Sequence, residues 1–340
     1  MNALRRALAG LALLLAGSVA DAQGPAQTGD VLGGGLALSI PNVPAGFATE
    51  QRGPLAISYP QAQRALFAGA IARLADDAAA VATPLGLQEL PRLSVRFANE
   101  AAGMRALAPP ELPPPAYASG VAYASIGMAI VSARSPGDGS ATAVAQVARH
   151  ELAHLVWGVA TGQAPSPRWF SEGLAVNQSG ERSFDRFEAL ARASVEHRVV
   201  RWDELDARFN GGAEAVDLAY AESADIVAWL IRRDGAGRLA VLAERLRAGD
   251  TFVEALHVAY GRTAAGLEEE WRGAVHDRFA LAPLWAGSGL AGVLLLGAVA
   301  IAGLRRWMRS QRTRARWAAE DRARRQPPRW LIFTPGARRE

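Results

Sequence analysis

Five residues in this sequence have types and spacing that suggest metal chemistry: His150-Glu151-Leu152-Ala153-His154. On a helix, residues four apart are separated by about 40° and 6 Å, so both imidazoles can reach one ion. Glu151 lies one step from His150. It sits beside a metal-activated water without being a ligand, and its carboxylate can take that water's proton and later pass it to a leaving amine. With five histidines and 19 glutamates in 340 residues, the pattern would arise by chance only about 0.004 times. The remaining histidines, His197, His257 and His276, lack ligand spacing and read as ordinary surface or core residues.

The motif requires a helix, and its flanks supply one over 141–160. Ser140 is positioned to cap it, Val144, Val147 and Leu155 give it an apolar face, and Gly158 and Gly162 mark its end. A third ligand is expected from the segment that follows. Ser166 caps a second helix over 167–178 and Pro167 takes its first position, which places Glu172 among Trp169, Phe170, Leu174 and Ala175. A carboxylate in such apolar company costs several kcal/mol unless it is paired or bound to metal. Two histidines and one glutamate with an open position form a catalytic zinc set, where a structural site would be closed.

His-Glu-x-x-His followed by Trp169-Phe170-Ser171-Glu172-Gly173-Leu174-Ala175 resembles the gluzincin metallopeptidases, most closely the bacterial peptidase MA-like group, across residues 118–235. The resemblance implies His150, His154 and Glu172 as zinc ligands, Glu151 as general base, and a mixed α/β half joined to a helical half across a zinc cleft. It also draws attention to Tyr220, because in the aminopeptidase branch a tyrosine in a similar setting donates to the oxyanion of the tetrahedral intermediate. The other reading of Tyr220 is a ring packed between helices with its hydroxyl at the surface. That branch also carries a glutamate on the strand before the zinc helix, to grip a free amine. Here the strand reads Gly127-Met128-Ala129-Ile130-Val131 without an acid, which favours an endopeptidase-like cleft with an extended peptide along the strand edge. For a group orienting the histidines, Asn177, Asp217 and Asp225 are all open, and Glu181 or Asp217 would be the next third ligand after Glu172.

The elements that must position these residues fall into an α+β order. Leu36–Ile40, Leu55–Tyr59 and Leu93–Phe97 read as strands, 60–82 as a helix, and Val121–Ser125 with Met128–Ser132 as a hairpin. Five prolines between Pro109 and Pro115 require an extended loop. Helical periodicity then continues through 184–197, 214–233, 236–247, 250–259 and 263–279. The expected organisation is a signal peptide over 1–22, an α/β half over 23–138, a helical half over 139–283, a single transmembrane helix over 284–304 and an arginine-rich tail over 305–340.

The chain has no cysteine, which excludes disulfides and thiolate metal sites, and its basic residues are all arginine. From Arg305 to Glu340, 12 arginines stand against three acids, a net +9. Arg5 and Arg6 add two, so the overall +4 leaves −7 between them, which argues against nucleic-acid binding by the folded part. Arg5 and Arg6, the apolar run 7–20 and Ala20-Asp21-Ala22 form a leader with a cleavage pattern. Leu284–Leu304 carries no charge, has Trp285 and Trp307 near its two ends, and is followed at once by arginines, so the positive-inside rule places the tail in the cytoplasm on anionic lipid. The sequence thus points to a bacterial inner-membrane, single-pass protein whose zinc domain faces the periplasm and acts on peptide or protein substrates of the envelope. The alternatives are a catalytically weak binding module for envelope proteins and a zinc hydrolase of a non-peptide substrate. Oligomeric state is not legible. A reporter active only outside the cytoplasm is expected to work when fused after Ala282 and to be silent after Gly336; the reverse pattern would place the zinc domain in the cytoplasm.

Overall fold

The computed structural model describes residues 37–116, 118–134, 143–181, 184–280 and 301. The expected leader 1–22, the apolar run 284–304 apart from Ile301, the arginine-rich tail and Ser140 lie outside the described residues. No helix among the described residues is long and apolar enough to cross a membrane. The chain divides into two compact units, Met1–Asp277 and Arg278–Glu340. The elements below belong to the first, apart from the last two residues of the final helix.

A five-stranded mixed sheet forms the first half. Its strands are β1 (Phe47–Arg52), β2 (Leu55–Pro60), β3 (Leu93–Ala98), β4 (Gly120–Tyr123) and β5 (Met128–Ser132), in the spatial order β1-β2-β3-β5-β4. β1 pairs antiparallel with β2, while β2, β3 and β5 run parallel. Parallel neighbours need a crossover, and α1 (Arg64–Ala82) supplies it between β2 and β3. It buries Phe67, Ile71, Leu74 and Val81, and the Phe67 ring stacks on Phe97 of β3 at 4.9 Å. β4 and β5 form the expected hairpin, with Gly127 in the left-handed region at φ 61°. A short α2 (Ala101–Met104) and the proline-rich loop cover an apolar cluster of Met104, Leu107, Val121, Tyr123, Met128 and Ile130.

One strand expectation is corrected, and one strand is added. Residues 37–43 form no strand, and Ile40 is 56% exposed. An apolar run becomes a strand only with a partner, and this one is instead tied down by the buried Arg96, which donates to the Pro41 carbonyl at 2.7 Å. β1 went unrecognised because it is a polar edge strand, Phe-Ala-Thr-Glu-Gln-Arg, and is defined by its pairing with β2.

The helical remainder comprises α3 (Val144–Thr161), α4 (Arg168–Ser179), α5 (Phe184–Val195), α6 (Trp202–Arg208), α7 (Ala213–Asp234), α8 (Gly237–Arg247), α9 (Phe252–Tyr260) and α10 (Ala264–Phe279). α6 is a short helix that the periodicity did not reveal. α3 begins later than expected, with Ala143 at its N-cap and no side-chain cap. It is buried on every side, with Leu152, Ala153, Leu155, Val156 and Trp157 all enclosed, and an Arg149–Asp77 ion pair at 3.0 Å ties it to α1.

The start of α4 also differs. Pro167 is the N-cap and makes no capping bond. The Asp206 carboxylate of α6 caps the helix from a distance, accepting the main-chain N–H groups of Arg168 at 3.0 Å and Trp169 at 2.7 Å. The Ser166 hydroxyl is engaged by Trp157 Nε1 at 3.0 Å. A carboxylate suits a helix N-terminus better than a hydroxyl does, because it meets both the open N–H groups and the dipole.

α4 and α7 pack closely enough that one residue limits their separation. A Cβ at Gly173 would lie 2.2 Å from the Ser223 carbonyl oxygen and 2.9 Å from Val227 Cγ2. Asn177 bridges the same pair of helices, donating to the carbonyls of Gly173 at 2.7 Å and Ala224 at 2.8 Å. Gly173→Ala is therefore expected to destabilise the fold by about 3 kcal/mol, the upper range for overpacking against main chain. Urea denaturation checks this; a loss within about 0.5 kcal/mol would mean that the helices separate freely.

Candidate metal centre

The middle turns of α3 carry His150, Glu151 and His154, and α4 brings Glu172 against them. The two Nε2 atoms lie 3.2 Å apart, and Glu172 Oε2 is 3.4 Å from His150 Nε2 and 3.7 Å from His154 Nε2. The ligand atoms of the three residues all lie within 4.8 Å of one another. All three side chains are buried, Glu172 completely. Two imidazole nitrogens and one carboxylate oxygen converging in a desolvated interior fit a divalent transition metal, and the chemistry of the donor set is the test they pass.

The electrostatics follow from burial and from these contacts. Burial opposes ionisation of Glu172, yet His150 and His154 hold it well below the ordinary carboxylate range. Burial likewise disfavours a charged His150, but Glu172 and Glu181 more than offset that and raise it to about 10. Glu151 has no such support. Neither of its buried oxygens has a hydrogen-bond partner among the described residues. Burial pushes it up to about 8; nearby His150 works against the shift, and the charges of Glu172 and Glu181 add to it. Its room comes from β4, where a Cβ at Gly120 would lie 2.5 Å from Glu151 Oε1.

Tyr220 on α7 reaches the same cluster. Its ring is buried and its hydroxyl hydrogen-bonds to Glu172, so the surface-hydroxyl reading does not hold. Burial first, then the Glu172 charge, raise it well above its ordinary value.

The structure also supplies the orienting group that the sequence left open. His150 Nδ1 lies 3.0 Å from Glu181 Oε1, and Glu181 is held in turn by Arg186 at 2.9 Å and the Ser179 hydroxyl at 3.2 Å. Burial opposes its charge, but His150 and Arg186 bring Glu181 down to about 2. Of the three groups that the sequence leaves open for this role, Asn177 bridges α4 and α7, Asp225 accepts Trp271 Nε1 at 2.9 Å, and Asp217 is exposed. Glu181 follows Gly180, whose φ of 73° ends α4 and turns the chain back toward α3. That turn was the one local signal available. His197 and His276 stack on each other at 6.1 Å, exposed like His257.

A family model of the Peptidase MA superfamily matches residues 93–277. The chain belongs to the Peptidase MA superfamily. No curated protein matches it. The Peptidase MA match begins at β3, ends within α10 and includes every residue of the cluster; β1, β2 and α1 precede it. Membership supports a peptidase-like enzyme.

One further expectation changes. β5, the strand the sequence offers as an edge for substrate, lies between β3 and β4. The terminal strand is β4, Gly-Val-Ala-Tyr, which also lacks an acid.

A carboxylate that orients a metal-binding histidine fixes its tautomer and basicity. Glu181→Ala is expected to weaken divalent-metal binding at the His150–His154–Glu172 cluster about 10- to 100-fold, as read by competition with a chromophoric chelator. Unchanged affinity would show that packing alone orients His150.

Proposed function

We propose that this chain is a zinc-dependent peptidase of the gluzincin type, with His150, His154 and Glu172 as zinc ligands and Glu151 as general base. The observation that carries the reading is the buried convergence of those three ligands from two helices, with an unpartnered carboxylate beside them. When bound, zinc supplies Lewis acidity toward the attacking water and the scissile carbonyl, and a positive charge that favours ionised Glu151.

The chain's own residues do the rest. Glu151 accepts the proton of the attacking water and returns it to the departing amine, and its pocket beside Gly120 keeps competing hydrogen bonds away from it. Tyr220, one helix away, can turn its hydroxyl from Glu172 to the developing oxyanion. Glu181 holds the His150 ring with Nδ1–H outward, leaving Nε2 for the ligand role.

The proposed path of an extended substrate is along β4. In the antiparallel ladder Ser132 donates to Ser119, so Gly120 and Ala122 direct their main-chain groups away from β5. The missing acid on β4 and β5 supports internal cleavage over removal of an N-terminal residue. The leader, the apolar run 284–304 and the arginines that follow support an envelope substrate and an extracytoplasmic domain tethered to the inner membrane.

Glu151→Gln is expected to retain one zinc per chain while peptide turnover falls about 10²- to 10⁴-fold, because an amide has the shape but cannot take the proton. His150→Ala is expected to lose both zinc and turnover. Elemental analysis with a peptide-library assay separates these outcomes; full turnover in Glu151→Gln would remove Glu151 from the general-base role, and wild-type protein that holds zinc without turnover would return the chain to a binding role.

A further inference from the structure

Arg168 occupies a place that local stability does not explain. It is the first residue of α4, at the end of the helix where the dipole disfavours a cation. It precedes Glu172 by four residues, the less favourable order for an ion pair on a helix. Among the described residues its buried Nε and Nη2 have no hydrogen-bond acceptor, each a desolvation cost without return.

What surrounds it gives the reason. Arg168 Nε lies 3.6 Å from Glu172 Oε1, an ion-pair contact beyond hydrogen-bond range. The other oxygen, Oε2, is the one that faces both imidazoles. The guanidinium lies over the Phe209 ring at 4.6 Å, and Phe209 meets the Tyr220 ring edge-on at 5.0 Å. Tyr220 closes the circuit through its hydroxyl on Glu172. Arg168 is thus fixed by an aromatic face on one side while its charge draws on one carboxylate oxygen.

We propose that Arg168, seated on Phe209, is a positioning residue that reserves Glu172 Oε1, so that the carboxylate offers the metal Oε2 alone. A one-oxygen ligand keeps a coordination position open for the substrate carbonyl, where a two-oxygen ligand would close it. The inference rests on the zinc reading above and names a residue that neither the motif nor the family match assigns.

The test uses the purified protein loaded with cobalt(II), whose visible absorption weakens as coordination number rises, in wild type, Arg168→Met and Arg168→Lys. Methionine keeps the length and the contact with Phe209 but has no charge. Arg168→Met is expected to bind one cobalt per chain with weakened visible absorption, and its zinc form to turn over about tenfold more slowly with little change in KM. Arg168→Lys should recover part of both. The metal-free melting temperature of Arg168→Met should stay close to that of wild type, since Nε and Nη2 give up no hydrogen bond and Glu172 still faces His150 and His154. A wild-type cobalt spectrum in Arg168→Met overturns the inference, and so does a lowered metal-free melting temperature with the spectrum unchanged, which marks a structural role only. Wild-type protein that binds neither cobalt nor zinc overturns the zinc reading itself.

Discussion

A cluster of ionisable side chains withdrawn from water constrains everything else in this molecule. Glu151, Glu172, His150 and His154 are almost wholly enclosed, and Glu181, Arg168 and Arg186 lie against them with limited exposure. Charges in such surroundings are tolerated only when each faces an opposite one, and removing a single partner leaves an uncompensated charge in a low dielectric. The cluster is balanced in that way: Glu172 faces two imidazoles and Arg168, and Glu181 faces His150 and Arg186. Glu151 is the member left without a hydrogen bond among the described residues, and burial shifts its carboxyl toward the neutral form.

The fold can be understood as the apparatus that keeps this cluster dry and in register. α3 is enclosed by apolar neighbours along most of its length, so its motif cannot turn toward solvent. α4 is placed by contacts at both ends and at its middle: Asp206 caps its start, Gly173 lets it lie against α7, and Gly180 turns the chain so that Glu181 returns to His150. A displacement of α4 would therefore move Glu172, its counter-charge Arg168 and the carboxylate of Glu181 together. Close packing makes such displacements costly, since the interior has little free volume in which to relax.

Tyr220 and Arg186 extend the same logic to α7 and α5. The guanidinium of Arg186 bonds Glu181 and lies 5.2 Å from the centre of the Tyr220 ring, so a single side chain touches both the carboxylate beside His150 and the phenol beside Glu172. The aromatic layer of Trp157, Trp169, Phe170, Trp202 and Phe252 packs behind α4 and keeps water from reaching its buried face.

The sequence by itself determined the short-range features. The i, i+4 histidines, the intervening Glu151, the apolar flanks of Glu172 and the alternation from strands to helices were all legible, because helical and strand periodicities are properties of contiguous residues. What it could not determine were relations between segments. β1 became a strand by pairing with β2, and the start of α4 was capped by a residue 38 positions away. β5 was interior because β4 took the edge. Glu181, Arg168 and Phe209 acquired their places only when α3, α4, α6 and α7 came together. A side chain's local pattern records how its own helix or strand meets water; which charge it faces across the interior is set by packing between elements, and that information exists only in the folded structure.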